Sequence, residues 1–244
     1  MAELTTLDID VGNTRAKWRL GRGGACSTGA IDHLGSVDAL SALPVAQPDR
    51  VRVASVASLA GQEQLPDWLQ RRYGVIPAFA KTAKVCGDVT CAYADPSRLG
   101  VDRWLAMLAV RRLTRHAFVV ADLGTAATLD FVDASGLHRG GYIVPGVRLM
   151  VDSLLRRTAD VKVALERPTR LEPASNTVEG VNRGAIAMLR DFVAGECERF
   201  QVVQSVPVDL FITGGDADTV APHVHRANRV MPDLVLDGLS IAIP

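Results

Sequence analysis

The sequence predicts an α/β protein that is built from two related halves. Apolar β-rich runs and amphipathic helical segments alternate through both halves, which is typical of an α/β fold. Two short stretches, residues 7–14 and 119–125, also resemble each other. Each is an apolar run that ends in Asp-x-Gly and continues into a second predicted strand, as in a β-hairpin with a tight turn.

The two copies are related by a constant offset of 112 positions. The residue pairs that match at this offset, without a gap, are Asp10 with Asp122, Gly12 with Gly124, Gly29 with Gly141 and Ile31 with Ile143. Two hairpins in register, each with a carboxylate and free backbone N–H groups at its tip, predict a duplicated domain with a nucleotide between the halves. We therefore expect domains at residues 1–117 and 118–244.

In the first half, strands are predicted where apolar residues alternate or run continuously, and a helix where they recur at helical spacing. The predicted strands are 6–10, 15–20, one that follows the glycine turn 21–24 and reaches Ile31, 49–56 and 75–80. The predicted helices are 65–73 and 103–113, and Asp102 stands where an N-cap residue would stand.

In the second half, the hairpin pattern returns and two longer helices follow. The predicted strands are 118–123, 128–131, 140–144 and 209–213, and one or two final strands are expected at 234–243. A helix is predicted from 147 to about 158, after Pro145-Gly146 ends the sheet. Another starts after Asn176, because Glu179 three residues later completes a capping box, and it reaches about Phe200.

The composition argues against several classes of protein. Apolar residues make up 48% and charged residues 22%, the formal net charge is zero, and no basic tract indicates nucleic-acid binding. No apolar run is long enough to span a membrane and no signal-peptide pattern is present, so we expect a cytoplasmic protein. The four cysteines lack zinc-ligand spacing and are expected to be reduced. His223-x-His225 fits a metal pair or, more simply, an incidental loop pair.

The Asp-x-Gly hairpins are the candidate phosphate sites, because the sequence contains no GxxxxGK[ST] motif. A carboxylate beside phosphate is repulsive unless a cation lies between them, so Asp10 and Asp122 imply cations, with Asp10 near a hydrated Mg²⁺. Thr14 and Thr125 can donate hydroxyl hydrogen bonds to phosphate. The segment Thr213-Gly214-Gly215 suits a base or ribose that lies against the main chain.

The ordered set of motifs resembles the type III pantothenate kinases, members of the acetate kinase/Hsp70/actin superfamily. The matching segments cover nearly the full length and are Asp10-Val-Gly-Asn-Thr14, Gly100-Val-Asp-Arg103, Asp122-Leu-Gly-Thr125, Gly140-Gly141 with Pro145-Gly146, Asn176-Thr177 and Thr213-Gly-Gly215. The resemblance implies two ribonuclease-H-like domains with ATP in the cleft between them. It also implies a homodimer that phosphorylates pantothenate to 4′-phosphopantothenate, the first step of coenzyme A biosynthesis.

The same resemblance implies a role for individual residues. Those that bind ATP, used with Mg²⁺, are Asp10, Val11, Gly12, Asn13, Thr14, Arg15, Ala16, Lys17 and Thr125. Those that bind pantothenate are Tyr93, Gly100, Val101, Asp102, Arg103 and Thr177, and Asp102 is also the proton acceptor. Asp122 binds a monovalent cation, K⁺ or NH₄⁺.

Simpler interpretations of single residues stay open at this stage. Asp102 alone fits a helix cap, Thr177 a residue of a capping turn and Tyr93 a surface aromatic. Two other functions also stay open: an accessory regulator of transcription, and a superfamily kinase that acts on another small hydroxylated acid. An intact set of Asp10, Asp102 and Asp122 argues against a regulator, since a binding protein needs no base.

Overall fold

The computed structural model describes residues 3–33, 35–57, 62–157 and 165–244. The chain forms two compact units, and neither is one continuous stretch of sequence. The first unit contains Met1–Gly87, Tyr93–Ala109 and Leu234–Pro244, and the second contains Asp88–Ala92 and Val110–Asp233. These units differ from the halves proposed at residues 1–117 and 118–244, because short segments of each half pack in the other unit.

The secondary structure alternates as expected. The strands are β1 (Thr6–Val11), β2 (Arg15–Arg22), β3 (Ala25–Asp32), β4 (Arg50–Ser55), β5 (Ala78–Phe79), β6 (Val85–Cys86), β7 (Val89–Thr90), β8 (Ala117–Leu123), β9 (Ala126–Val132), β10 (His138–Pro145), β11 (Val208–Thr213) and β12 (Arg229–Val230). The α-helices are α1 (Leu65–Tyr73), α2 (Val101–Leu113), α3 (Val147–Arg157), α4 (Thr177–Gln204), α5 (Ala217–Val220) and α6 (Leu234–Ala242). Short 3₁₀ turns span Val37–Ala42, Gln62–Gln64, Pro96–Arg98 and Ala221–His223.

The two units contain sheets of the same topology. In the described residues the first sheet has the order β3-β2-β1-β4-β5 and the second the order β10-β9-β8-β11-β12. In each, three antiparallel strands joined by hairpins are followed by a fourth strand parallel to the first. The central strands are buried on both faces, as in β1, where Leu7 on one face and Asp8 on the other are nearly inaccessible. The duplicated α/β fold expected from the sequence is therefore confirmed.

The first hairpin turn is one residue longer than the second. Val11 lies opposite Ala16 at the end of the first turn, whereas Leu123 lies opposite Ala127 at the end of the second. The gap-free alignment of the two copies is thus wrong beyond the Asp-x-Gly turns. The extra residue is accommodated in the turn, where no ladder hydrogen bonds are lost.

This difference propagates into the third strand of each copy. Ala16 pairs with Ile31, and Ala127 pairs with Val144. Ile31 therefore corresponds to Val144 and not to Ile143. A shift of one residue matters in a sheet because it moves a side chain to the opposite face.

The last predicted strand, at 234–243, is wrong, because these residues form the helix α6. Leu234, Leu236 and Leu239 are buried, and the helix packs against β1 and β4 of the first unit. Periodicity alone does not distinguish a short apolar run in a helix from one in a buried strand. Helix formation here brings Gly238 onto the backbone of α2, where an added Cβ would be 2.2 Å from the carbonyl oxygen of Leu105.

A buried ion network joins α6 to the sheet of the first unit. Asp8 of β1 is only 3% exposed and accepts hydrogen bonds from Nε and Nη2 of Arg52 at 2.7 and 3.1 Å, and from Arg19 at 3.3 Å. Arg19 also donates to the carbonyl of Leu236 at 2.7 Å, and Arg52 donates to the carbonyl of Ile243 at 3.0 Å. The two guanidinium groups thus connect three strands to the end of the chain.

The contact at Gly238 can be tested by substitution. Gly238→Ala is expected to lower the free energy of unfolding by about 1–3 kcal/mol, the range for overpacking, because the methyl group would overlap the backbone of α2. Gly184→Ala in α4 is the matched control, since nothing lies within 4 Å of an added Cβ there. That control should gain up to about 1 kcal/mol from helix propensity. Urea denaturation measures both, and a Gly238→Ala protein as stable as the wild type would contradict the close packing.

Candidate active site

The first Asp-x-Gly turn lies at the end of β1. Asp10 is the residue before last in this strand and is half-buried, whereas Asn13, Thr14 and Arg15 are exposed at the tip. The N–H of Gly12 donates to the carbonyl of Arg15 at 3.0 Å, which closes the turn. Two of the predicted ATP-binding residues, Val11 and Ala16, are buried in the core and therefore have a structural role.

His33 supports this turn and was not identified from the sequence. It is 1% exposed, its Nε2 lies 2.8 Å from the carbonyl oxygen of Gly12, and its Nδ1 accepts the N–H of Gly35 at 3.1 Å. Since a backbone N–H can only donate, Nδ1 is the acceptor and Nε2 carries the proton that binds Gly12. The imidazole therefore fixes the backbone of the turn.

Arg15 is held beside the turn by Asp32. Its Nε donates to the Asp32 carboxylate at 2.6 Å, and this hydrogen bond holds the pKa of Asp32 below its ordinary value. Both side chains are more than half exposed, so the pair contributes little to stability. Its effect is to restrict where the guanidinium group of Arg15 can lie.

The second Asp-x-Gly turn lies at the corresponding edge of the second sheet. Asp122, the residue before last in β8, is half-buried and pairs in register with Thr128 and Thr213. The N–H of Gly124 donates to the carbonyl of Ala126 at 3.1 Å, and Thr125 is exposed at the tip. Asp122 therefore occupies the carboxyl end of parallel strands, the edge at which open α/β sheets bind ligands.

Two other turns pack on this second turn with almost no intervening space. A Cβ added to Gly146 would be 2.0 Å from the carbonyl oxygen of Gly124, and a Cβ added to Gly214 would be 2.4 Å from that of Leu123. Gly214 also has φ +99°, which favours glycine. The N–H of Asp216 donates to Leu123 at 2.8 Å. The predicted Pro145-Gly146 and Thr213-Gly-Gly215 segments thus converge on the second Asp-x-Gly turn.

Asp216 is a second residue that sequence reasoning missed. Burial raises the pKa of its carboxyl group, and the positive charge of Arg167 opposes that shift. Asp216 directly follows Gly214 and Gly215, so a carboxyl group with a raised pKa lies at the same edge of the sheet as Asp122. The signal available in the sequence was one acidic residue after Gly-Gly, which is too common to identify a site.

All of the predicted acceptor-binding residues except Thr177 lie in the first unit, at or near the start of α2. Arg103 is 7% exposed and its Nη1 donates to the hydroxyl of Tyr93 at 3.4 Å. The N–H of Arg103 donates to Oδ1 of Asp102 at 2.8 Å. A Cβ added to Gly100 would be 2.6 Å from the same Oδ1, so glycine is required for the observed position of the carboxylate.

The interpretation of Asp102 as an N-cap is wrong. The helix α2 begins at Val101, so Asp102 lies in its first turn and not at the N-cap position, which precedes the first helical residue. An acidic residue in the first turn still interacts favourably with the helix dipole. Its carboxylate is half-buried, as expected for a group that a substrate has to reach.

Thr177 is the first residue of α4 in the second unit and is exposed. The predicted cap before it is confirmed, because the side chain of Asn176 accepts the N–H of Glu179 at 3.0 Å. Tyr93 and Thr177 belong to different units, and within the first unit Tyr93 contacts Arg103 of the Gly100–Arg103 segment.

Across the ranges that the structure describes, no three or more His, Cys, Asp and Glu side chains cluster as metal ligands, and no helix is long and apolar enough to cross a membrane. All four cysteines are free thiols. Burial raises the pKa of the Cys197 thiol to about 11, so this thiol stays protonated at neutral pH.

The two sheets of matching topology, each with an Asp-x-Gly turn, define the duplicated α/β fold expected of the acetate kinase/Hsp70/actin superfamily. Comparison with sequence families is more specific. The family model of type III pantothenate kinases matches residues 6–199. The chain belongs to the type III pantothenate kinase family.

Close relatives match over almost the entire chain. The type III pantothenate kinase of Pseudomonas fluorescens strain SBW25 is 41% identical over 246 residues, and that of Ectopseudomonas mendocina is 42% identical over 246 residues. In both cases the match covers 98% of this chain and 98% of the relative.

Solved structures with the same fold are more distant in sequence. A Baf family transcriptional activator from Campylobacter jejuni has a TM-score of 0.58 and 19% identity, over 97% of this chain and 96% of its own. A ROK family glucokinase from Streptomyces griseus, in complex with glucose and AMPPNP, has a TM-score of 0.50 and 12% identity, over 96% and 97%. At these identities the similarity concerns the fold alone.

Proposed function

We propose that the chain transfers the γ-phosphoryl group of ATP to the primary alcohol of pantothenate, giving 4′-phosphopantothenate in the first step of coenzyme A biosynthesis. The observation that carries the proposal is the Gly100–Arg103 motif at the start of α2, beside Tyr93, in a chain of this family. The family and the reactants, ATP and a small charged acid, are also consistent with a reaction in the cytoplasm.

The first Asp-x-Gly turn is proposed to bind the phosphates of ATP through the segment from Asp10 to Lys17, and Thr125 of the second turn to contact them as well. Gly12 allows close approach of the backbone, and the exposed hydroxyl of Thr14 can donate to a phosphate oxygen. Oxygen donors at both turns fit hard cations. Mg²⁺ near Asp10 and a monovalent ion at Asp122 would neutralise charge on the transferred phosphoryl group.

Asp102 is the proposed general base. Phosphorylation of an alcohol requires a group that accepts the hydroxyl proton, and a carboxylate does so when it is positioned within hydrogen-bonding distance. The N–H of Arg103 binds the Asp102 carboxylate, and the absence of a side chain at Gly100 leaves room for it there. The guanidinium group of Arg103, oriented by Tyr93, offers a planar donor for a polar group of pantothenate.

Thr177 is proposed to line the pantothenate pocket, and the protein is proposed to act as a homodimer. The exposure of Thr177 at the first position of α4 leaves its hydroxyl group accessible to a ligand. The family resemblance supports both parts of this proposal.

The reaction can be tested by a coupled assay of ADP release. ADP release is expected with pantothenate and at background rate with acetate, with glucose or without acceptor, because the pocket selects the acceptor. Release with another acid but not with pantothenate would identify a kinase of different specificity. Background release with every acceptor would instead favour a non-catalytic role.

The role of Asp102 can be tested with Asp102→Asn. The amide keeps the size of the side chain but cannot take the proton, so kcat should fall about 10²- to 10⁴-fold. The KM for pantothenate should change far less, since the base acts mainly in the transition state. Asp67→Asn is the matched control, because Asp67 is an exposed acidic residue in the first turn of α1. A folded Asp102→Asn enzyme with near-normal kcat would remove Asp102 as the base.

The cation requirement can be tested on thoroughly desalted enzyme. A carboxylate repels a neighbouring phosphate unless a cation lies between them, so activity should rise strongly with K⁺ or NH₄⁺ compared with Na⁺ or Tris alone. Asp122→Asn should remove most of this difference. Equal rates of the wild type in all four buffers would contradict a monovalent cation at Asp122.

A further inference from the structure

The second unit contains a buried pair of titratable side chains that the proposed reaction does not use. His138 of β10 is 1% exposed and Asp130 of β9 is 2% exposed, and His138 Nε2 lies 3.0 Å from Asp130 Oδ1. The other ring nitrogen, Nδ1, accepts the backbone N–H of Ala92 at 3.4 Å. These two contacts define the tautomer: Nδ1 is the acceptor, and Nε2 carries the proton and donates to Asp130.

The segment that ends at Ala92 is held by the hairpin that carries this pair. The N–H of Thr90 donates to the carbonyl of Gly136 at 3.0 Å, and Thr90 forms a parallel bridge with Leu137. Gly136 has φ +90°, and an added Cβ would be 1.8 Å from the carbonyl oxygen of Asp88. The chain from Asp88 to Ala92 is therefore packed on the β9–β10 hairpin, with the carbonyl group of Asp88 close against Gly136.

The next residue in the sequence is Tyr93, which is part of the proposed acceptor pocket. Its hydroxyl accepts a hydrogen bond from Arg103 at 3.4 Å, and its carbonyl accepts one from Lys84 at 3.1 Å. The bound N–H of Ala92 lies one residue before Tyr93, so the contact with His138 anchors the backbone at the point where it enters Tyr93.

We propose that His138, oriented by Asp130, is a positioning residue for pantothenate binding, because it fixes the backbone that leads into Tyr93. The proposal rests on the proposed function. It assigns no contact with substrate to His138. Asp130 keeps the imidazole in the tautomer whose Nδ1 accepts the N–H of Ala92, in the way that a hydrogen-bonded carboxylate fixes other histidine tautomers.

Two substitutions separate the two contacts of the imidazole. In His138→Asn the amide oxygen can occupy the place of Nδ1 and accept the N–H of Ala92, but the donor to Asp130 is lost. In His138→Gln the amide nitrogen can reach the place of Nε2 and donate to Asp130, but the acceptor for Ala92 is lost. Both replace a buried imidazole by an amide, so each is the control for the other, and urea denaturation compares their stability.

The expected result is a difference between these variants in pantothenate binding. His138→Gln should raise the KM for pantothenate about 3- to 10-fold, the effect of one neutral hydrogen bond, with kcat and the KM for ATP within about twofold of wild type. His138→Asn should keep a KM for pantothenate near that of wild type. In hydrogen exchange, the Ala92 amide should exchange faster in His138→Gln than in His138→Asn, which reports the contact without substrate.

Other outcomes overturn the proposal. Equal KM values for pantothenate in the two variants, or equal Ala92 exchange, would make His138 a purely structural residue. If the wild type phosphorylates pantothenate and the two variants do not differ from each other, the positioning role alone is rejected. A wild type without pantothenate-dependent ADP release would reject the proposed function, and the positioning role with it.

Discussion

The first unit depends on the requirement that the buried carboxylate of Asp8 be neutralised. An isolated carboxylate in a sheet interior would cost several kcal/mol, and removal of one partner from a buried ion pair typically costs about 3–5 kcal/mol. Arg52 and Arg19 meet this requirement from the two strands that flank β1. Each guanidinium group has donors left over, and these bind carbonyl groups at the C-terminal end of the chain. The carboxylate of one residue in β1 thus links three strands to one another and, through the two guanidinium groups, to Leu236 and Ile243.

The duplication gives each sheet an Asp-x-Gly turn in the same place, but the two turns are no longer equivalent. The longer first turn is held by the imidazole of His33 and presents three exposed residues, Asn13, Thr14 and Arg15. The shorter second turn is enclosed by glycines of two neighbouring segments. A larger and more polar tip suits contact with phosphates, and an enclosed turn suits a fixed ion. The different tasks proposed for Asp10 and Asp122 are thus consistent with the different construction of their turns.

The sequence was sufficient to predict most of the fold, because the hydrophobic pattern of strands and helices is strong and occurs twice. The helix at residues 65–73 was predicted with its observed bounds, and the Asn176 cap was predicted from the spacing to Glu179. The run at residues 234–243 was misassigned because it is apolar on nearly every side, so its periodicity carries no information.

Within the candidate site, the motifs predicted which residues cluster but not how they are held. His33, His138 and Asp216 were missed, since a single histidine or aspartate has no pattern that links it to a distant backbone group. Their hydrogen bonds involve main-chain atoms of Gly12, Ala92 and Leu123. Every residue type has such main-chain groups, so the sequence does not indicate these contacts.

The position of α6 has a consequence for synthesis of the protein on the ribosome. The strands of the first unit emerge early, but the helix that covers β1 and β4 is translated only after the whole of Val110–Asp233. At about 5–20 residues per second, this interval lasts roughly 6–25 s. During that time the nascent chain exposes an apolar sheet face of the kind that chaperones bind, and the guanidinium groups of Arg19 and Arg52 lack the carbonyl acceptors of Leu236 and Ile243. The segment Leu234–Pro244 therefore completes the fold of the first unit, and a chain truncated before Leu234 would lack the helix that covers β1 and β4.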